Sequence, residues 1–174
     1  TTVTREVTIS GEDLRPSNHQ AVEALDAALR RFGTASHAFD PERLRRFDAG
    51  GPPVWSVGFT RVEGDTPYWL LMTYGFSRHV TDVPYRAEHS HEYSLAIPAD
   101  GGVLPQWGPA LLRHLCRYVL NSRRDLAVGD HMPVRYPITR IPFPREHHAK
   151  IADTGLTDII VAPEPLVPTV RVPD

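Results

Sequence analysis

A single cysteine, Cys116, excludes an intrachain disulfide and any zinc site built on several thiolates. Lysine is as scarce: Lys150 stands alone, and arginine carries the remaining basic charge. No run approaches the roughly 18 apolar residues of a membrane-spanning helix, and no signal-peptide pattern is visible, so a soluble, cytoplasmic protein without membrane contact is expected. A formal charge of −2 gives no general attraction to nucleic acid or an anionic membrane. Phosphate loops, dinucleotide fingerprints and Gly-x-Ser-x-Gly turns are absent as well. The chain opens on Thr1-Thr2-Val3 and stops at Val172-Pro173-Asp174 in mid-pattern, which reads as ends that are trimmed or disordered.

What is present suits one domain over residues 1–174: 174 residues, 41% of them hydrophobic, can bury a real core. The 17 prolines are about twice the usual ~5% share and crowd the last third, where short strands and turns are expected. Val3 to Ile9 alternates loosely, as a short edge strand or an arm would. Ser17-Asn18-His19-Gln20 has capping-box spacing, Val22, Leu25, Leu29 and Phe32 follow at helical spacing, and Gly33 supplies a stop. Asp40-Pro41-Glu42 begins a shorter helix, which Gly50-Gly51-Pro52-Pro53 breaks. Trp55, Val57 and Phe59 share one face of a strand, and the apolar run from Tyr68 to Tyr74 returns beside it, antiparallel. Gly75 allows a sharp exit, and Glu92 to Ile97 forms the next strand, closed by Pro98.

Leu111, Leu112, Leu115, Cys116, Val119 and Leu120 form the stripe of the strongest helix. Trp107, Leu111, Leu115 and Val119 are expected to pack onto a sheet face containing Leu70, Met72, Leu95 and Ile97. An extended, proline-punctuated segment through Tyr136, Ile138 and Ile141 and a strand over Thr157–Val161 complete the chain. The expected class is α+β, a mostly antiparallel, mixed sheet covered by helices.

Nine histidines invite a test for chemistry. His89 and His91 fall on one face of an entering strand with Glu88 and Glu92 nearby, and two imidazoles with a carboxylate can hold zinc. Spacing specifies no further ligand, so no metal and no cofactor is assigned; His89, His91 and Glu92 are the residues that could hold one. Ser77, His79 and Asp82 supply the residue types of a triad without a nucleophile turn. A metal-dependent or serine hydrolase using the His79–His91 loop therefore stays open beside a non-catalytic binding domain and a scaffold module of a larger protein. Cys116 lies on the helix's apolar side and reads as a core residue.

Four segments, in order, resemble the suppressor-of-fused family. These are Trp69–Tyr74 with Gly75-Phe76-Ser77 and then Glu92-Tyr93-Ser94-Leu95; Trp107-Gly108-Pro109-Ala110-Leu111-Leu112 with Leu115 and Arg117-Tyr118-Val119; Gly129-Asp130-His131; and Leu156–Ile160 with Pro163-Glu164-Pro165 and Val170-Arg171. The sequence departs from the pattern at Phe76, where Leu is usual, and at His91, where Gly is usual. The segment from Pro133 to Pro144 has no clear counterpart, and a further C-terminal strand of the pattern is missing.

The resemblance implies protein binding rather than catalysis. Animal members restrain a transcription factor by clamping a short peptide beside an exposed strand, using a second domain. Stand-alone bacterial members are associated with toxin systems as immunity proteins, and the arginine-rich, lysine-poor composition fits a bacterial source. Carried onto this chain, the partner-binding residues would be Tyr118, Asp130 and neighbouring His131, and the partner a toxin or peptide segment bound at a sheet edge. Oligomeric state is left open.

Overall fold

Seven consecutive residues from Tyr68 are bulky and apolar or aromatic, with Thr73 the single exception, so both faces of this strand need cover. The computed structural model provides it. It describes residues 16–39, 54, 56–76, 92–122, 124, 126–134, 136–151 and 153–163. Helix α1 (Pro16–Arg30) is followed by strands β1 (Ser36–Phe39), β2 (Ser56–Val62), β3 (Tyr68–Tyr74) and β4 (Ser94–Pro98). Helix α2 (Trp107–Ser122), β5 (His131–Pro133) and β6 (Asp158–Ile160) come next, with short 3-10 segments at Ile138–Arg140 and Arg145–Lys150 between the last two strands. The first four strands make an antiparallel sheet in sequence order, and β5 and β6 pair as a separate antiparallel ribbon. The α+β reading therefore holds, with a small second sheet added.

Register decides the layers. Leu71 lies opposite Phe59 on one side and Leu95 on the other, and Trp69 lies opposite Ile97. With Val57, these residues pack against Leu112, Cys116, Val119 and Leu120 of α2. Side chains alternate along a strand, so Leu70, Met72 and Tyr74 point the other way, onto Leu25 and Leu29 of α1. The sheet is sandwiched between the two helices. Each fully buried Leu or Val here contributes about 1.5–3 kcal/mol. Two glycines let the layers close. A Cβ on Gly108 would come within 2.4 Å of Ile97 Cδ1 on the α2 side, and one on Gly58 within 2.4 Å of the Tyr74 ring on the α1 side.

Four expectations are corrected. Leu70 and Met72 do not face α2, because an all-apolar strand carries no period to say which residue faces which layer; Leu71 takes that role. Leu115 is half-buried, and the buried stripe runs through Gly108, Leu111, Leu112, Cys116, Val119 and Leu120. The segment through Ile138 is a 3-10 turn rather than extended, since Pro137 opens it at φ −53° and the chain turns back at once. Gly33 is not a left-handed stop; it is small because a Cβ there would meet Arg61 O and Thr60 Oγ1 at 2.8 Å. Strand β1 carried no readable signal. The N-terminal strand and the helix from Asp40 lie outside the described residues, and among those residues no helix is long and apolar enough to cross a membrane.

Candidate functional site

The turn from α2 into the ribbon is built around Asp130. Gly129 adopts φ 94°, the left-handed region that a side chain disfavours. Asp130 Oδ2 accepts a hydrogen bond from Ala127 N–H at 3.0 Å, and Asp130 N–H donates to Ala127 O at 2.9 Å. Its carbonyl accepts from Val161 N–H, while Gly129 N–H donates to Val161 O. Arg124, just past α2, approaches Asp130 Oδ1 at 3.8 Å. Asp130 is thus first a turn former, although 30% of its side chain stays exposed.

His131 begins β5 opposite Ile160. Its Nε2 lies 2.8 Å from Asp158 Oδ1, and the Thr157 hydroxyl donates to Asp158 Oδ2. These two bonds, Thr157 first, hold the Asp158 carboxyl below the ordinary carboxylate value. The ribbon's inner bonds fall on Asp130, Met132 and Val134, so alternation turns the N–H and C=O of His131 and the C=O of Pro133 outward. Among the described residues no strand pairs with that edge. Val128, three residues before His131, and Ile160, across from it on β6, are 66% and 70% exposed. Tyr118 is 42% exposed on α2 and makes no hydrogen bond among the described residues. The structure joins Asp130 and His131 in one turn and leaves Tyr118 on a separate element.

Glu92 lies at the exit of β3. Its Oε1 accepts from Gly75 N–H, and its Oε2 from Phe76 N–H and the Thr73 hydroxyl, at 2.7–3.1 Å. Thr73 Oγ1 in turn accepts from Tyr93 N–H. This carboxylate thereby fixes the exit of β3, where Gly75 has φ 82°. His89, His91 and the rest of the His79–His91 loop, together with Ser77, lie outside the described residues. No group of three metal-ligating side chains occurs among the described residues. Burial in the core pushes the Cys116 thiol well up, the opposite of what a nucleophile needs.

A polar cluster that sequence reading missed sits under α1. Asp26 Oδ1 accepts from the Tyr74 hydroxyl at 2.8 Å and lies 3.0 Å from His37 Nε2, while Arg30 approaches Oδ2 at 3.3 Å. The His37 and Tyr74 rings meet edge to face at 5.0 Å. Burial alone would raise the Asp26 pKa, but the bonds from His37 and Tyr74 and the charges of His37 and Arg30 bring it below 3.8. Burial, and then Asp26, drives the Tyr74 phenol far above its usual range. Asp26 sits on the inner face of a helix, so its helical position was the one available signal.

A sheet packed between two helices, with a separate β5–β6 ribbon whose outer edge is unpaired among the described residues, defines an α+β domain. The model of the family described as suppressor of fused protein matches residues 50–174, and the chain belongs to that family. Similar solved structures agree in fold. The crystal structure of the Sufu–Fu complex superposes with a TM-score of 0.63 at 17% identity, over 87% of this chain and 68% of that one. Drosophila Suppressor of Fused gives 0.63 at 18% identity, over 87% of this chain and 38% of its own. No curated protein matches the chain.

Proposed function

We propose that this domain is a non-enzymatic protein-binding module whose partner adds a strand to the outer edge of β5. The observation that carries the reading is the outward pair of His131 backbone groups, in a ribbon that leaves Ile160 exposed across from His131. Main-chain hydrogen bonds along such an edge give affinity, and alternate side chains give specificity. Asp130 supplies a negative charge next to the edge, so a partner segment carrying Lys, Arg or His suits it. The family membership and the structure of Sufu with Fu support a protein partner. The role most in keeping with these features is an immunity protein that neutralises a partner toxin.

The test begins with the partner that co-purifies from the source cells, titrated against variants. Ile160→Lys is expected to weaken binding by about 1–3 kcal/mol, and Tyr118→Ala by less. Asp130→Asn is the informative change at the turn, because its amide oxygen still accepts from Ala127 while the charge is gone. Protection of cells from the partner's toxicity, lost in step with affinity, supports the immunity role. Full protection by a variant that no longer binds contradicts it.

A further inference from the structure

The two 3-10 segments between β5 and β6 build a cleft of their own. Tyr136, Arg140, Ile141, Phe143, Arg145 and His148 line a cavity of about 390 Å³, within the range of small ligand sites. Its walls are held. Pro137 and Pro144 fix the entries to the two 3-10 segments, Ile138 N–H donates to Leu156 O, and Ile138 and Thr139 are buried beneath α2. His148 Nε2–H donates to Phe143 O at 2.9 Å, which ties the two rims together.

The chemistry of the lining is specific. Three apolar or aromatic side chains stand among two guanidiniums, in a chain of net negative charge. Arg140 is incompletely satisfied: one Nη lies 3.6 Å from Asp153 Oδ2, and its buried Nε has no hydrogen-bond partner among the described residues. Arg145 is exposed and carries no ion pair among the described residues. Glu146 and Asp153 are the nearby acids in sequence, and both are exposed. Two forks of guanidinium donors recognise a planar carboxylate, and a ring or branched chain on the same ligand would cover Phe143, Tyr136 and Ile141.

We propose that this cleft is a second recognition site, taking an acidic–aromatic peptide segment in which a carboxylate side chain neighbours an aromatic one. It stands whether or not the β5 edge is the main partner surface. The probe is the acetylated, amidated peptide Gly-Ser-Phe-Asp-Ser-Gly, titrated into the full chain by calorimetry at low salt. Saturable binding is expected, weakened at least about tenfold by Arg145→Gln, the scale of one charged hydrogen bond, and likewise by Phe143→Ala. The analogue with Lys in place of Asp is expected not to bind. Because Arg145 is exposed, its variant keeps the fold even where Arg140→Gln does not. Absence of saturation, or binding indifferent to Arg145→Gln and Phe143→Ala, overturns the site. Phenylacetate binding as tightly as the peptide overturns the peptide assignment in favour of a small free acid.

Discussion

The two sheets of this domain are built to opposite specifications. In the four-stranded sheet β3 is covered on both faces, and Glu92 and the Asp26–His37–Tyr74 cluster hold polar bonds within the layers. In the β5–β6 ribbon only Met132 and Ile159 turn inward, while His131, Ile160 and Val128 face solvent. Apolar area left in water, as at Ile160, is a cost that the doubly covered β3 avoids. The contrast separates stability, carried by β2–β4 with the two helices, from recognition, which we assign to the ribbon.

The contrast is broken most severely from the dry side. Leu112→Ala is expected to destabilise the domain by about 2–5 kcal/mol in chemical denaturation, the range for emptying a buried leucine site. Glu92→Ala comes next, at about 2–4 kcal/mol, because it strands the Gly75 and Phe76 N–H groups and the Thr73 hydroxyl. Tyr74→Phe is expected to cost about 1–2 kcal/mol and to change the acid limb of stability. The folded Asp26 pKa lies below its ordinary 3.8, so its contribution is present above that value and is lost as pH falls towards the folded pKa. Denaturation followed from pH 6 to 2 should therefore fall less steeply below about 4 in the variant. Leu115→Ala, at a half-buried position, is expected near about 1 kcal/mol. Smallest of all, Ile160→Lys should leave stability within about 0.5 kcal/mol while affecting binding.

Much of this was legible in the sequence, and the omissions have physical causes. Alternation at Val57 and Phe59 and at Leu95 and Ile97 placed β2 and β4, and the leucine stripe placed α2. The run Trp69-Leu70-Leu71-Met72 announced a buried strand but not which residue faces which helix, since both faces are apolar. Strand β1 is four residues, Ser-His-Ala-Phe, whose pairing with β2 is a long-range fact. That Glu92 binds amides 16 and 17 residues away is a long-range fact that its local sequence does not carry. At the candidate site, Gly129-Asp130 was readable as a turn. The outward direction of His131 depends on the register with β6, which no local pattern encodes.

The central claim is that binding belongs to the ribbon edge. Backbone amide hydrogen exchange, measured on the free domain and on its complex with the co-purified partner, tests it most directly. The account predicts that the His131 amide, directed away from β6, exchanges readily in the free domain and becomes protected in the complex, with Tyr74 and Leu71 unchanged. Protection confined to other segments, with the His131 amide exchanging as fast as before, would contradict it.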